Sequence, residues 1–241
     1  MCVIFVAYKI HPDRPLLLLA NRDEFYERAT APAGEWADSP NIFAGRDLVG
    51  GGTWLGITNN GRVAAVTNYR EPGAPKGATS RGLLVADFLK SELPASDYMR
   101  QVEARQNDYS GFNLFVGEFH AGGSELFYFS NRGGAVRQLE PGVYGLSNHL
   151  LDTPWPKVRR GTRRLGQLIR HPDLEPQMFF DILADDVLAD DADLPDTGVG
   201  YEIEKALSAI FIRTPGYGTR SSTVVTFDRS GTGQLIERVV G

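Results

Sequence analysis

The first 24 residues read MCVIFVAYKIHPDRPLLLLANRDE and contain two short apolar runs, 3–8 and 16–20. A polar turn, 11–15, separates the runs. Each run is apolar and bounded by turn-forming residues, so the pattern predicts two buried strands joined as a hairpin. Because the start of one antiparallel strand lies beside the end of the next, we expect Cys2 to lie close to the polar and charged tetrad 21–24.

Cys2 is the one cysteine of the chain and directly follows Met1. Methionine aminopeptidase favours a small second residue, so removal of Met1 would leave a free α-amino group on Cys2. Such an amine titrates near ~7.7–8.0 and can serve as the base for the thiol of its own residue. Arg22 would favour the thiolate, and Asp23 could orient the amine. The alternative is that Cys2 is a small buried strand residue and the tetrad a solvated loop.

The start Met1-Cys2 with Phe5, the tetrad Asn-Arg-Asp-Glu at 21–24 and the segment GGGTWLG at 50–56 together resemble the NRDE family, which includes the transport and Golgi organisation proteins. More distantly, the layout is similar to the choloylglycine hydrolase and penicillin V acylase branch of the N-terminal nucleophile hydrolases. The resemblance implies a single domain over residues 1–241. It also implies an α+β fold, a four-layer αββα sandwich of two antiparallel sheets. Alternating blocks of strands and helices independently favour α+β with helices on the outside.

Composition limits the class of protein. A chain of 241 residues with 42% hydrophobic and 23% charged residues is typical of a soluble globular protein. The formal net charge of -5 argues against nucleic acid as the main partner. The first apolar run lacks a preceding basic region and no run approaches ~18 apolar residues, so we expect neither a signal peptide nor a membrane span. A cytoplasmic location is the resulting expectation.

Several segments carry local predictions. The Pro/Ala/Gly-rich stretch 29–40 is expected to be a loop, and Asn-Gly within 59–61 is a hairpin signal. Residues 83–89 have helical spacing, with Ser80 as a plausible cap. The strands between 113 and 146 are expected to form one continuous meander. The glycine triplet leads into a strand and lacks a following Gly-Lys-Ser/Thr, so it is not a phosphate loop.

Two charged segments follow. A helix over 156–170 carries five arginines, for which a solvated face is favoured over a nucleic-acid or acidic-lipid patch. The acidic stretch 185–196 lacks the spacing of a calcium loop and is expected to be solvated and mobile.

The resemblance to the hydrolases adds three candidate site residues. Asn68 matches an asparagine at a strand end that helps to form the oxyanion hole in those enzymes, and Asn148 matches a second asparagine that follows a strand. Arg220 resembles an arginine near their C-terminus that sits against the nucleophile. Each also has a simpler interpretation, because asparagines favour turns and arginines favour surfaces. The related enzymes have an arginine three residues before their aspartate, so the choice between Asp23 and Glu24 as the group facing the amine stays open.

These observations predict an N-terminal cysteine amidohydrolase that acts on a small acyl amide or a related acyl compound and requires no metal or cofactor. The residues assigned to catalysis are Cys2, Arg22, Asp23, Asn68, Asn148 and Arg220. The alternative is a non-catalytic carrier of haem or a lipid-like acyl ligand, as the family's connection with haem mobilisation and lipid homeostasis implies. Firm haem ligation would need an axial contact from Cys2 alone or from His149, and no haem motif is visible. Trp54, Tyr69 and Tyr144 could line an apolar pocket, although core packing is favoured. A homo-oligomer is compatible with the sequence.

Overall fold

A computed structural model describes residues 2–240 of the chain. Its strands in chain order are β1 (Cys2–Tyr8), β2 (Leu16–Phe25), β3 (Thr30–Trp36), β4 (Ser39–Asp47), β5 (Leu55–Thr58), β6 (Arg62–Asn68), β7 (Phe112–His120), β8 (Gly123–Ser130), β9 (Arg137–Gln138), β10 (Gly142–Leu146), β11 (Arg213–Thr214), β12 (Tyr217–Phe227) and β13 (Gly233–Val239). The α-helices are α1 (Gly82–Lys90), α2 (Ala95–Ala104), α3 (Pro156–Leu168), α4 (Pro176–Leu183) and α5 (Tyr201–Ala206).

The hairpin predicted at the N-terminus is confirmed and lies at the centre of the first sheet. This sheet has the order β10-β1-β2-β12-β11, and β13 also pairs with β12. Strands β1 and β2 are antiparallel, with Tyr8 opposite Leu16 at one end and Cys2 opposite Arg22 at the other. The tetrad belongs to β2, and its first three residues are buried. The solvated-loop alternative for the tetrad is therefore wrong.

The second sheet contains seven antiparallel strands in chain order, β3 to β9. The predicted loop 29–40 is instead β3 and the start of β4, because β3 is an edge strand that tolerates Pro32 and an irregular register against β4. The meander prediction is also wrong at its end. Strand β10 leaves the second sheet and pairs with β1 in the first, with Leu146 opposite Ile4.

Three apolar cores separate four layers. Helices α1 and α2 pack against the second sheet, the two sheets pack face to face, and α3 and α4 cover the first sheet. A fully buried phenylalanine represents each core: Phe88 between α1–α2 and the second sheet, Phe115 between the two sheets, and Phe179 between the first sheet and α3–α4. Burial of one such side chain contributes about 1.5–3 kcal/mol. The predicted αββα sandwich is confirmed.

Two local predictions about helices and loops need correction. Ser80 does not cap α1 with its side chain; Arg81 occupies the N-cap position, and the Ser80 carbonyl accepts a hydrogen bond from Leu83 N–H at 3.1 Å. The acidic stretch 185–196 is exposed over most of its length, as predicted, but it is anchored at its start. The nearly buried Asp185 carboxylate accepts hydrogen bonds from Arg160 at 3.0 Å and Arg164 at 2.9 Å. Two of the arginines of α3 thus bind the protein's own acidic segment.

Within residues 2–240, no helix combines the length and apolar character that crossing a membrane requires.

Candidate active site

The N-terminal end of β1 opens into a cavity of about 390 Å³. Four of the six predicted site residues line it: Cys2, Arg22, Asp23 and Asn68. The remaining walls come from the end of β2 and the turn after it, the end of β4, and the loops before β5, α1 and β7. They include Glu24, Arg28, Asp47, Thr53, Trp54, Lys76, Thr79, Ser80, Arg81 and Ser110. A cavity of this size is within the usual range for small-molecule sites.

Cys2 is half-buried at the first position of β1, directly opposite Arg22 of β2. Burial raises the pKa of the Cys2 thiol, and the Asp23 carboxylate raises it further. The backbone N–H of Asp23 and the Arg22 guanidinium act in the opposite direction and lower that pKa. On the β10 side, Ser147 Oγ donates to the Cys2 carbonyl at 3.4 Å. The backbone of the nucleophile candidate therefore contacts β2 on one side and the residue that follows β10 on the other.

Arg22 has a 6% exposed side chain, although it lines the cavity. Its guanidinium carbon lies 4.2 Å from the centroid of the Trp54 ring, and Nη2 lies 4.0 Å from a carboxylate oxygen of Glu24. Burial lowers the pKa of Arg22, whereas the charges of Cys2 and Glu24 raise it. An arginine remains protonated under such conditions, so Arg22 supplies a fixed positive charge beside the thiol.

Asp23 is 1% exposed, and its Oδ1 accepts a hydrogen bond from Thr219 Oγ1 at 2.7 Å. Burial raises the pKa of Asp23 to about 6, and the charge of Lys157 opposes that rise. Glu24 is more exposed and accepts a hydrogen bond from the Phe25 backbone at 2.9 Å. Of the two carboxylates, Asp23 is the one enclosed beneath the end of β1.

Asn68 ends β6 and is half-buried in the cavity wall. Asn148 is 1% exposed and does not line the cavity; its Nδ2 donates to the Asn68 carbonyl at 3.0 Å. The Asn148 carbonyl accepts a hydrogen bond from Arg70 N–H at 2.7 Å. Asn148 therefore joins the strand end that carries Asn68 to the segment after β10.

Arg220 lies on the far side of Arg22 rather than in the cavity with Cys2. Its Nη1 donates to the carbonyls of Phe25 and Arg28, each at 3.0 Å. Arg220 lines a second, smaller cavity of about 110 Å³, whose wall also contains Arg22 and Trp54. The register of β12 against β2 shifts between Thr219 and Ser221, so Arg220 is the unpaired residue of this irregularity and its side chain departs from the alternation of its neighbours. Its positive charge acts on Arg22, whose pKa it lowers.

Arg81 and Lys157 are cations of the site that the sequence analysis did not identify. Arg81 lines the cavity and donates through Nη1 to the Gly111 carbonyl at 2.9 Å. Lys157 is 2% exposed, and its Nζ donates to the Leu207 carbonyl at 2.8 Å. Burial lowers the pKa of Lys157 to about 8, while Asp23 raises it.

The spacing of residues on α3 could have revealed Lys157. Lys157, Gly161 and Leu165 recur every four residues, and all three are buried. A charged residue on the apolar face of a helix indicates a buried partner. No comparable signal in the sequence distinguishes Arg81.

The described residues show no cluster of metal-ligating side chains. Within 2–240, no group of three or more His, Cys, Asp or Glu side chains is arranged to hold a metal ion. His149 does not line the cavity. The centroid of its ring lies 5.0 Å from that of the Tyr69 ring and 5.8 Å from that of the Trp155 ring. Its Nδ1 is 2.8 Å from Thr153 Oγ1. His149 therefore has a packing environment of its own.

The profile of the family described as Transport and Golgi organisation 2 matches residues 1–241. The chain belongs to this family. Its relatives include the Transport and Golgi organization protein 2 homolog of Bos taurus, 38% identical over 99% of this chain and 92% of that protein. The Homo sapiens homolog is 36% identical with the same coverage of both chains. The resemblance to the NRDE family is thus confirmed over the full length.

A solved structure with a similar fold is the C2A mutant of the conjugated bile acid hydrolase from Clostridium perfringens. The TM-score is 0.52 at 9% identity, and the match covers 100% of this chain and 97% of that one. At this identity the likeness concerns the fold alone. Together with the two antiparallel sheets between helix layers, it identifies the fold of N-terminal nucleophile hydrolases.

Proposed function

We propose that this protein is an N-terminal cysteine hydrolase that cleaves the C–N bond of a small acyl amide. The proposal is supported by one observation above all: Cys2 and Arg22 lie directly opposite each other on paired strands, and both line a cavity that Asn68 also lines. A thiol, a fixed cation and an amide side chain around one opening are the components that acyl transfer requires.

The proposed reaction begins after removal of Met1, a residue outside the described range 2–240. The Cys2 sulfur attacks the substrate carbonyl carbon, and the Cys2 α-amine takes the thiol proton. The C–N bond then breaks, the same proton passes to the leaving amine, and an acyl thioester remains on Cys2. Water attacks this thioester and releases a carboxylic acid, which restores the thiol.

The other residues have distinct proposed roles. Arg22 favours the thiolate by its charge, and the Asn68 amide donates to the oxyanion of the tetrahedral intermediate. The buried Asp23 carboxylate orients the α-amine. Asn148 supports Asn68 by donating a hydrogen bond to the Asn68 carbonyl. Arg220 acts on the charge of Arg22 rather than on the thiolate itself.

The experiment is mass spectrometry of the purified protein after brief incubation with a panel of acyl amides and activated acyl esters. The proposal predicts an acyl adduct on the N-terminal peptide that forms and decays with turnover and is absent in Cys2→Ser. A matched control is Ser147→Ala, which removes a contact to the Cys2 carbonyl but leaves the thiol and the cavity in place.

The carrier alternative, with haem or an acyl ligand bound without turnover, predicts a different result in the same samples. Ligand would then bind reversibly, and Cys2→Ser would retain binding. Haem titration monitored by absorbance, with His149→Ala as a second variant, separates a haem carrier from a carrier of acyl ligands. Reversible binding with no adduct on any substrate would contradict the hydrolase proposal.

A further inference from the structure

Arg22 is held in place by an aromatic ring rather than by hydrogen bonds. Within residues 2–240, its guanidinium donates no hydrogen bond, and its nearest carboxylate oxygen is 4.0 Å away on Glu24. A guanidinium has five N–H donors and a long flexible stem, so it needs a partner to keep one orientation. The Trp54 ring, 4.2 Å from the guanidinium carbon, is that partner.

The Trp54 ring is itself fixed by the strand beneath it. A Cβ atom placed on Gly45 of β4 would lie only 2.5 Å from Trp54 Cζ2, so the ring occupies the space that the absent side chain leaves. Gly45 has no positive φ, and only this close approach requires glycine there. The backbone of Trp54 is also held, because its carbonyl accepts a hydrogen bond from Val66 N–H of β6 at 2.9 Å.

Arg22 and Trp54 line both the cavity that contains Cys2 and the smaller cavity that contains Arg220. The stacked pair is therefore the partition between these two spaces. Loss of the ring would join the two spaces and allow the guanidinium to move away from Cys2 toward Glu237 at the far wall.

We propose that Trp54, seated on Gly45, is a positioning residue that keeps the Arg22 charge beside the Cys2 thiol. This inference rests on the proposed role of Cys2 as a nucleophile, but it concerns thiol reactivity and requires no turnover. Among residues 2–240, the groups that act on the Cys2 thiol are Arg22, the Asp23 carboxylate and the Asp23 backbone N–H on β2, with Arg81 before α1 and Lys157 on α3 as more distant charges.

The test measures the rate of Cys2 alkylation by iodoacetamide as a function of pH, in the full-length protein and its variants. Since a nearby cation favours the thiolate, Trp54→Leu should move the midpoint of the profile to higher pH and slow alkylation at pH 7 by about threefold or more. Gly45→Ala should have the same effect by displacing the ring without removing it. Trp54→Phe, which keeps an aromatic face, should recover most of the wild-type rate.

Two controls separate positioning from general loosening. Trp36→Leu removes a ring that holds Arg46 at the same 4.2 Å distance but does not line the Cys2 cavity, and it should leave the alkylation midpoint unchanged. In an Arg22→Gln background, Trp54→Leu should produce no further change, because the ring acts through the guanidinium. Circular dichroism confirms that each variant is folded at the assay temperature.

An unchanged midpoint in both Trp54→Leu and Gly45→Ala would overturn the inference, as would a shift of equal size in the Arg22→Gln background. These outcomes are independent of the hydrolase proposal. A protein with no turnover on any acyl amide but with the expected midpoint shifts would keep the inference and lose the proposed function.

Discussion

The buried carboxylate of Asp23 is expected to reduce the stability of the fold. Burial raises its pKa from 3.8 to about 6, so the folded protein resists ionisation of this group at neutral pH. A difference of about two pKa units corresponds to about 3 kcal/mol. Because the side chain is 1% exposed, solvent screening does not reduce this cost.

Asp23→Asn keeps the shape of the side chain and an oxygen that can accept the hydrogen bond from Thr219 Oγ1. The pKa of about 6 already includes the attraction between Asp23 and Lys157, so this attraction is not subtracted again. We therefore expect Asp23→Asn to increase the free energy of unfolding by up to about 3 kcal/mol at pH 7–8. The same change should abolish acyl transfer, because the amine of Cys2 loses the group proposed to orient it.

The sign of the pH dependence follows from the raised pKa. The folded state binds the Asp23 proton more tightly than the unfolded state does. The contribution of Asp23 to the free energy of unfolding of the wild type therefore falls as pH rises from about 4 to 6. The advantage of Asp23→Asn should accordingly be full above pH 6 and disappear near pH 4. Urea denaturation followed by tryptophan fluorescence at several pH values measures it.

Asp47 provides a control of opposite sign in the same cavity. Although burial opposes the effect, hydrogen bonds from Arg28 and from the Gly50 backbone hold the pKa of Asp47 below its usual value. Asp47→Asn should therefore destabilise the protein at neutral pH, and the loss should shrink in acid. A difference between wild type and Asp23→Asn that is constant with pH, or that grows toward pH 4, would refute the reasoning about Asp23.

Three other substitutions test the supporting structure. Asn21→Ala removes three buried hydrogen bonds and should lower the free energy of unfolding by about 3 kcal/mol, which urea denaturation would reveal. Arg70→Met leaves Glu204 as an uncompensated buried charge and should cost about 3–5 kcal/mol by the same measurement; a neutral result would mean that water reaches the pair. Asn148→Ala removes the hydrogen bond to the Asn68 carbonyl and should slow acylation without changing the alkylation midpoint of Cys2; a shifted midpoint would contradict a role confined to Asn68.

The N-terminal hairpin and its consequence for Cys2 could be predicted because both depend on local patterns. Two apolar runs around a polar turn define the strands, and antiparallel geometry then places Cys2 opposite Arg22. The layer order came from family resemblance rather than periodicity. No local pattern could reveal that β10 crosses to the first sheet, because its five residues suit either sheet equally well.

Local pattern could predict only the part of the candidate site that lies on the N-terminal hairpin, where it placed Asp23 near Cys2. Asn68 was assigned from resemblance, and both Asp23 and Asn68 line the cavity. Asn148 and Arg220 were assigned from resemblance, and their contacts to the backbone of other segments depend on packing that one sequence does not reveal. Lys157 lies on α3, 134 residues after Asp23, and Arg81 lies at the start of α1, 58 residues after Asp23. Only the assembled layers bring their charges to the site.

Intact mass spectrometry of the purified protein directly tests whether Cys2 acts as a nucleophile with its own α-amine as base. We expect a mass lacking Met1, plus one adduct after exposure to a thiol-reactive amide or β-lactam, and Cys2→Ser should abolish this adduct. A protein that retains Met1 has no free amine on Cys2. That result would contradict the self-activated mechanism and favour ligand binding without turnover.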